Sequence, residues 1–106
     1  MSDAFVIFCS CGSPEEAEKL ASVLVNERLA ACVNIVPGIH SVYRWNDKIE
    51  TATEFLLIIK SAADRLAEIQ SRLETLHSYD TPEVVAIPIV AGSPKYLAWL
   101  RRQIEA

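Results

Sequence analysis

The stretch that most limits what this chain can fold into runs from residue 32 to residue 60. Cys32 to Val36 is an apolar strand. Pro37-Gly38 interrupts it, because proline lacks a ladder donor and glycine accommodates a bulge. Ile39 to Trp45 resumes it, with Ile39, Ser41, Tyr43 and Trp45 on one face and His40, Val42 and Arg44 on the other. Asn46-Asp47-Lys48 has turn composition, and Ile49 to Lys60 runs back as a long strand. The return arm is mixed over Ile49 to Glu54 and wholly apolar over Phe55 to Ile59. A hairpin built this way has its root inside a domain and its tip projecting beyond it.

The flanking segments supply what such a root needs. Ala4 to Cys9, apolar and rich in aromatic and β-branched residues, is a buried first strand. Ser13-Pro14-Glu15-Glu16 is a helix start, with Ser13 as cap, Pro14 at the first position and Glu16 as the capping-box partner. Ala17, Leu20, Ala21 and Leu24 then fall on one helical face, which predicts a helix over 14–28. After the hairpin, Ser61 is the expected cap of a second helix, with Asp64 at its third position and Leu66, Ile69, Leu73 and Leu76 as its buried stripe. Residues 77–83 form a loop. Val84 to Val90 is a strand interrupted by Pro88 and so belongs at a sheet edge. Ser93 and Pro94 start a last helix carrying Leu97, Leu100 and Ile104 on one side.

The order β-α-β-β-α-β plus a terminal helix predicts an α+β, ferredoxin-like antiparallel sheet with a long second hairpin, in one domain over residues 1–106. Both connecting helices cover the same face. The other face would be bare in a monomer, yet Phe5 to Phe8 and Phe55 to Ile59 are apolar on both faces. With 51% of the residues apolar in so small a chain, the expectation is that other subunits cover that face.

The net charge of −4 disfavours nucleic acid as a partner, since phosphate contacts need clustered Lys and Arg and only Arg101-Arg102 are adjacent. Three cysteines and an N-terminus without a basic leader point to reduced thiols in the cytoplasm. No apolar run approaches the ~20 residues that cross a bilayer, so no membrane role is expected. The three glycines are too dispersed for a phosphate loop, and neither a His-Glu-x-x-His nor a nucleophile elbow is present, so catalysis has no support.

Two groups of residues carry chemistry. Cys9-Ser10-Cys11 places two thiols on one face of a strand end, and thiolates bind soft or borderline metals. A Cys-x-Cys without a further partner also describes two buried small residues, and Cys32 at the entry of an apolar strand also describes a core thiol. His40 and His77 are the available imidazoles, the latter placed to cap a helix C-terminus. The second group is Tyr43, Trp45, Lys60, His77, Tyr79 and Glu83, aromatic bodies with titratable heads. It suits a small ligand or anion, but the residues alone favour a subunit interface, where Tyr and Trp are common.

Ala30-Ala31-Cys32-Val33-Asn34-Ile35-Val36-Pro37-Gly38 followed by Ser41-Val42-Tyr43-Arg44-Trp45 resembles the signature of the CutA divalent-cation tolerance family. Ile49-Glu50, Glu54, Lys60, His77-Ser78-Tyr79, Pro82-Glu83 and Tyr96-Leu97-Ala98-Trp99 continue the likeness in order over essentially the whole chain. The resemblance implies a ferredoxin-like subunit, a homotrimer joined by intersubunit strand pairing, and clefts between subunits. It further implies copper tolerance and binding of a divalent metal ion, copper foremost, with no organic cofactor and no enzymatic activity. The assembly it implies is similar to that of PII-type signalling proteins, which raises the alternative of a regulator that binds a small ligand and acts on a protein partner. By the same resemblance Cys9 and Cys32 match metal-associated positions, and Tyr43, Trp45, Lys60, His77, Tyr79 and Glu83 match cleft-lining ones. Cys11 and His40 depart from the family pattern and would complete a metal set of Cys9, Cys11, Cys32 and His40. Ser78 stands where the family commonly has proline.

Overall fold

The structure, a computed structural model, describes residues 3–105. Strand β1 spans Ala4–Cys11, helix α1 Pro14–Asn26, β2 Cys32–Trp45, β3 Lys48–Ala62, α2 Leu66–Leu76, β4 Val85–Pro88 and α3 Pro94–Ile104. The strands form one four-stranded sheet in the order β2-β3-β1-β4. Every pairing in it is antiparallel. This is the ferredoxin-like α+β arrangement, with the long hairpin at one side and a third helix appended.

Local sequence explains most element boundaries. The Ser13 hydroxyl accepts from the Glu16 amide at 3.1 Å, and Pro14 opens α1. That helix stops at Asn26, two residues short of the predicted end. Arg28 turns left-handed at φ 58°, and the amides of Leu29 and Ala30 both fold back onto the Leu24 carbonyl. Asn46 and Asp47 have φ of 51° and 63°. They form the two-residue reverse turn whose twist suits a tight hairpin, so Lys48 belongs to β3. In α3 the Ser93 hydroxyl accepts from the Tyr96 amide at 3.4 Å and Pro94 follows.

Ser61 does not cap a helix. β3 continues through Ser61 to Ala62, and the Ser61 hydroxyl, fully buried, donates to the Leu29 carbonyl at 2.5 Å. A short 3-10 turn at Ala63–Arg65 then leads into α2, which has no side-chain cap. The last strand is also shorter than predicted, four residues at the sheet edge, where Pro88 opposite Phe5 costs no interior hydrogen bond.

The expected break at Pro37-Gly38 is a bulge within a continuous strand. Val36 pairs with Leu56 and Ile39 with Glu54, so two residues of β2 face one of β3. Gly38 takes φ 74°, a conformation glycine adopts without a Cβ penalty. The extra residue shifts the parity of the strand. Cys32, Asn34 and Val36 before it share a face with Ile39, Ser41, Tyr43 and Trp45 after it.

On the opposite face lies the main core. Ile7, Cys9, Cys11, Leu57 and Ile59 pack there against Ala17, Leu20 and Leu24 of α1 and Ile69 and Leu73 of α2. The second face is covered at one end only. Register places Ala4 and Ala62 on it, and these small side chains let Leu100 and Ile104 of α3 close over them. Beyond α3, Val6, Phe8, Val36, Leu56 and Ile58 remain half-buried, and the hairpin carries Tyr43, Trp45 and Ile49 out into solvent. The molecule is accordingly elongated, 45 × 25 × 22 Å.

Candidate functional site

A cleft of about 620 Å³ opens between the projecting arm of the hairpin and the loop after α2. Tyr43, Trp45, Tyr79 and Glu83 line it, as do Glu54 and Asp80, with hydroxyls from Ser10, Ser41 and Thr81. Glu54 sits immediately before the apolar run of β3, which pulls it down into the sheet and leaves it only 8% exposed. Its Oε2 accepts from the Tyr79 hydroxyl at 2.6 Å. Burial, together with that hydrogen bond and the Glu54 charge, pushes the Tyr79 phenol well above its usual range.

Two of the residues matched to the cleft do different work. Lys60 lies six residues along β3 from Glu54, about 20 Å at strand rise. Its ammonium donates to Asn34 Oδ1 and lies 3.9 Å from the Cys32 sulfur. His77 sits under the loop with its side chain fully buried. The Tyr79 amide donates to Nδ1 at 3.0 Å, so Nε2 carries the proton and donates to the Ser10 carbonyl at 2.8 Å. The imidazole expected to cap the end of α2 is thus a post that fixes the loop to β1.

Glu16 completes that attachment. Its carboxylate accepts from the Ser78 amide at 2.7 Å and the Ser78 hydroxyl at 2.9 Å, and lies 3.5 Å from His77 Nδ1. Burial raises the Glu16 carboxyl, but the two Ser78 bonds, His77 and the Gly12 backbone outweigh it and hold it below the ordinary glutamate value. The capping-box partner suggested by the sequence therefore reaches across to another element. Ser78, where a proline would offer neither donor, ties the loop.

The four residues expected to bind metal are not gathered within one subunit. Cys9 and Cys11 are wholly buried in the main core, their thiols pointing to the Ser10 and Ser13 carbonyls at 3.9 and 3.7 Å. Burial first, then Cys11 and nearby carboxylates, pushes Cys9 up to about 12, and burial raises Cys11 as well. Both are thiols rather than thiolates near neutrality. Cys32 is on the opposite face of the sheet, beside Lys60. His40, opposite Thr53 on the exposed arm of β2, is two strands across and two residues along from Cys11, roughly 12 Å. Among the described residues no three His, Cys, Asp or Glu side chains come together closely enough to hold a metal ion.

Asp80 was not singled out from the sequence, Glu54 entered only through the family likeness and Glu16 only as a capping-box partner. The one local signal was a carboxylate set directly before an apolar run, at Glu54.

A ferredoxin-like sheet with a projecting, bulged hairpin and an acidic, aromatic cleft beside it defines an α+β subunit with an incompletely covered second face. The chain belongs to the CutA1 divalent ion tolerance protein family, whose model matches residues 5–103. It is 47% identical over 98 residues to the chloroplastic protein CutA of Arabidopsis thaliana, an alignment covering 92% of this chain and 54% of the relative. The chain spans about half the length of the plant relatives it matches. The crystal structure of CutA from Xylella fastidiosa superposes with a TM-score of 0.96 at 44% identity, covering 98% of this chain and 100% of that one. That of the periplasmic divalent cation tolerance protein CutA from Archaeoglobus fulgidus gives 0.94 at 42% identity, covering 96% and 99%. Among the described residues no helix is long and apolar enough to cross a membrane.

Proposed function

We propose that residues 1–106 act as one CutA-like domain in a homotrimer, and that the trimer is a cytoplasmic, non-enzymatic divalent-cation tolerance protein that binds metal, copper foremost. The observation that carries the assembly is the second sheet face. Val6, Phe8, Val36, Leu56 and Ile58 form an apolar surface that α3 leaves uncovered, continuous with Tyr43 and Trp45 on the same face of the hairpin. Burying such a surface between copies is strongly favourable, at about 25 cal/mol for each Å² removed from water. Free thiols at Cys9, Cys11 and Cys32 suit a reducing compartment.

The family description supports the metal reading. Within it, Cys9 and Cys11 supply soft donors once deprotonated. Cys32 on the other face and His40 on the projecting arm reach a shared ion only from neighbouring subunits. Calorimetric titration with Cu(II) and Zn(II) tests this. Saturable binding to the wild type that weakens in Cys9→Ser supports it, whereas no binding by either metal tighter than about 1 mM, ~−4 kcal/mol, overturns it.

A second reading, a PII-like regulator that holds a small ligand and acts on a protein partner, is favoured by the cleft itself. Its volume and mixed aromatic and polar lining fall within the range of small-molecule sites.

A further inference from the structure

Past the rung that pairs Phe8 with Val85, β1 loses β4 as a neighbour. Cys9, Ser10 and Cys11 run on with β3 on one side only, opposite Leu57, Leu56 and Phe55. The loop after α2 closes the other side. Its residues 78–83 form neither helix nor strand, and Ser78, Asp80, Thr81 and Glu83 are exposed. The Cys9 and Cys11 thiols beside it are fully buried.

The loop is held as a strap is held. Its ends are fixed, because buried His77 is bonded to the Ser10 carbonyl at 2.8 Å and Val84 packs against the main core. Between them, Glu16 of α1 takes both Ser78 donors and Glu54 of β3 takes the Tyr79 hydroxyl. Asp80, Thr81 and Glu83 add no side-chain hydrogen bond among the described residues. A segment with few apolar contacts and few latches opens at lower cost than the sheet it covers.

Gly12 adds an independent observation. It follows Cys11 directly, and a Cβ there would meet the Tyr79 hydroxyl at 3.3 Å. The strap thus rests on the backbone next to Cys11, and the missing side chain lets it close fully. At its other end Glu83 is near enough to Cys9 for its charge to be felt by that thiol.

We propose that residues 78–83 are a gate over the Cys9–Cys11 pair, which lifts as a unit while the sheet stays folded and admits soft electrophiles and metal ions to Cys11 before Cys9. Cys11 comes first because it adjoins exposed Gly12, whereas Cys9 lies two residues further into the strand. Both thiols belong to the helix-covered face, so the opening does not require the apolar face assigned above to neighbouring subunits. The gate goes beyond the metal reading. Alkylation needs no metal, so a gate that stays shut and a metal that fails to bind are separate outcomes.

Alkylation of the native full chain by N-ethylmaleimide, with each cysteine followed by peptide mass mapping, tests the gate. Cys32, on the other face, is the internal reference. Cys11 is expected to react before Cys9, and about tenfold faster in Ser78→Ala, which loses a bond to a charged acceptor. Gly12→Ala, which wedges Tyr79 outward, is expected to act in the same direction. Ser93→Ala removes the cap of α3 and lowers stability away from the loop, so it is expected to leave the Cys11 rate unchanged. Circular dichroism reports whether each variant folds, and Ser78→Ala carries the test if Gly12→Ala does not. Cys9 and Cys11 reacting together, and as much accelerated by Ser93→Ala as by Ser78→Ala, overturns the gate, because unfolding then exposes them. Rates unchanged in Ser78→Ala and Gly12→Ala, or no reaction of Cys11 at all, overturn it as well.

Discussion

At the scale of single residues, the cleft depends on how the loop after α2 is held. Glu16, His77 and Ser78 fasten it to α1 and β1, and Tyr79 carries the attachment to Glu54 on β3. Glu16 has a folded pKa below its ordinary 4.5, so its contribution to stability is present above that value and is lost as pH falls through the folded one. Glu16→Gln therefore lowers the thermal midpoint at pH 7, by the equivalent of about 1–2 kcal/mol for two bonds to a charged acceptor. It also flattens the decline of stability as pH falls below the ordinary glutamate value. A variant with the wild-type midpoint and the same acid limb would show that the clamp holds nothing. The same scale shows where sequence reading stopped. Ser13-Pro14, Ser93-Pro94 and Asn46-Asp47 announce themselves because caps and turns are local chemistry. Glu16 looked like a local cap partner, and only the packing of α2 beside α1 brings Ser78 within its reach.

At the scale of elements, the bulged hairpin decides which residues can meet. The bulge puts Cys32 and Tyr43 on one face although their numbers differ in parity, and register along β3 sends Lys60 to the far end from Glu54. The strand pattern of the hairpin was legible from alternation. The separation of Lys60 from the cleft was not, because a list of residue types in chain order carries no position along a sheet. Ser61 failed for a related reason. It has the sequence context of a cap, but the ladder with β1 continues to Ala62, and the Leu29 carbonyl takes the hydroxyl. Gly38 gives the element its test. An added Cβ meets nothing within 4 Å, so Gly38→Ala is opposed only by its φ of 74°. The expected loss is about 1–2 kcal/mol in denaturant unfolding. A loss near zero would mean that the bulge relaxes to an ordinary pairing at no cost.

At the scale of the whole molecule, the account turns on a sheet with one face covered by α1 and α2 and the other covered only at one end by α3. The need for a cover was readable from strands apolar on both faces. The partial cover by α3 was not, because it relies on Ala4 and Ala62 being small and on register bringing them side by side. Trp45 is half exposed at the hairpin tip, so Trp45→Ala removes little from the subunit core. It is expected to shift the assembly toward monomer on dilution while circular dichroism stays that of the wild type. An unchanged assembly with unchanged thermal stability would place the tip outside any interface. The most direct measurement is the molar mass of the wild-type protein by size-exclusion chromatography with light scattering. A single species of three times the 11.8 kDa chain mass is the predicted result, and a clean monomer at that chain mass would contradict it.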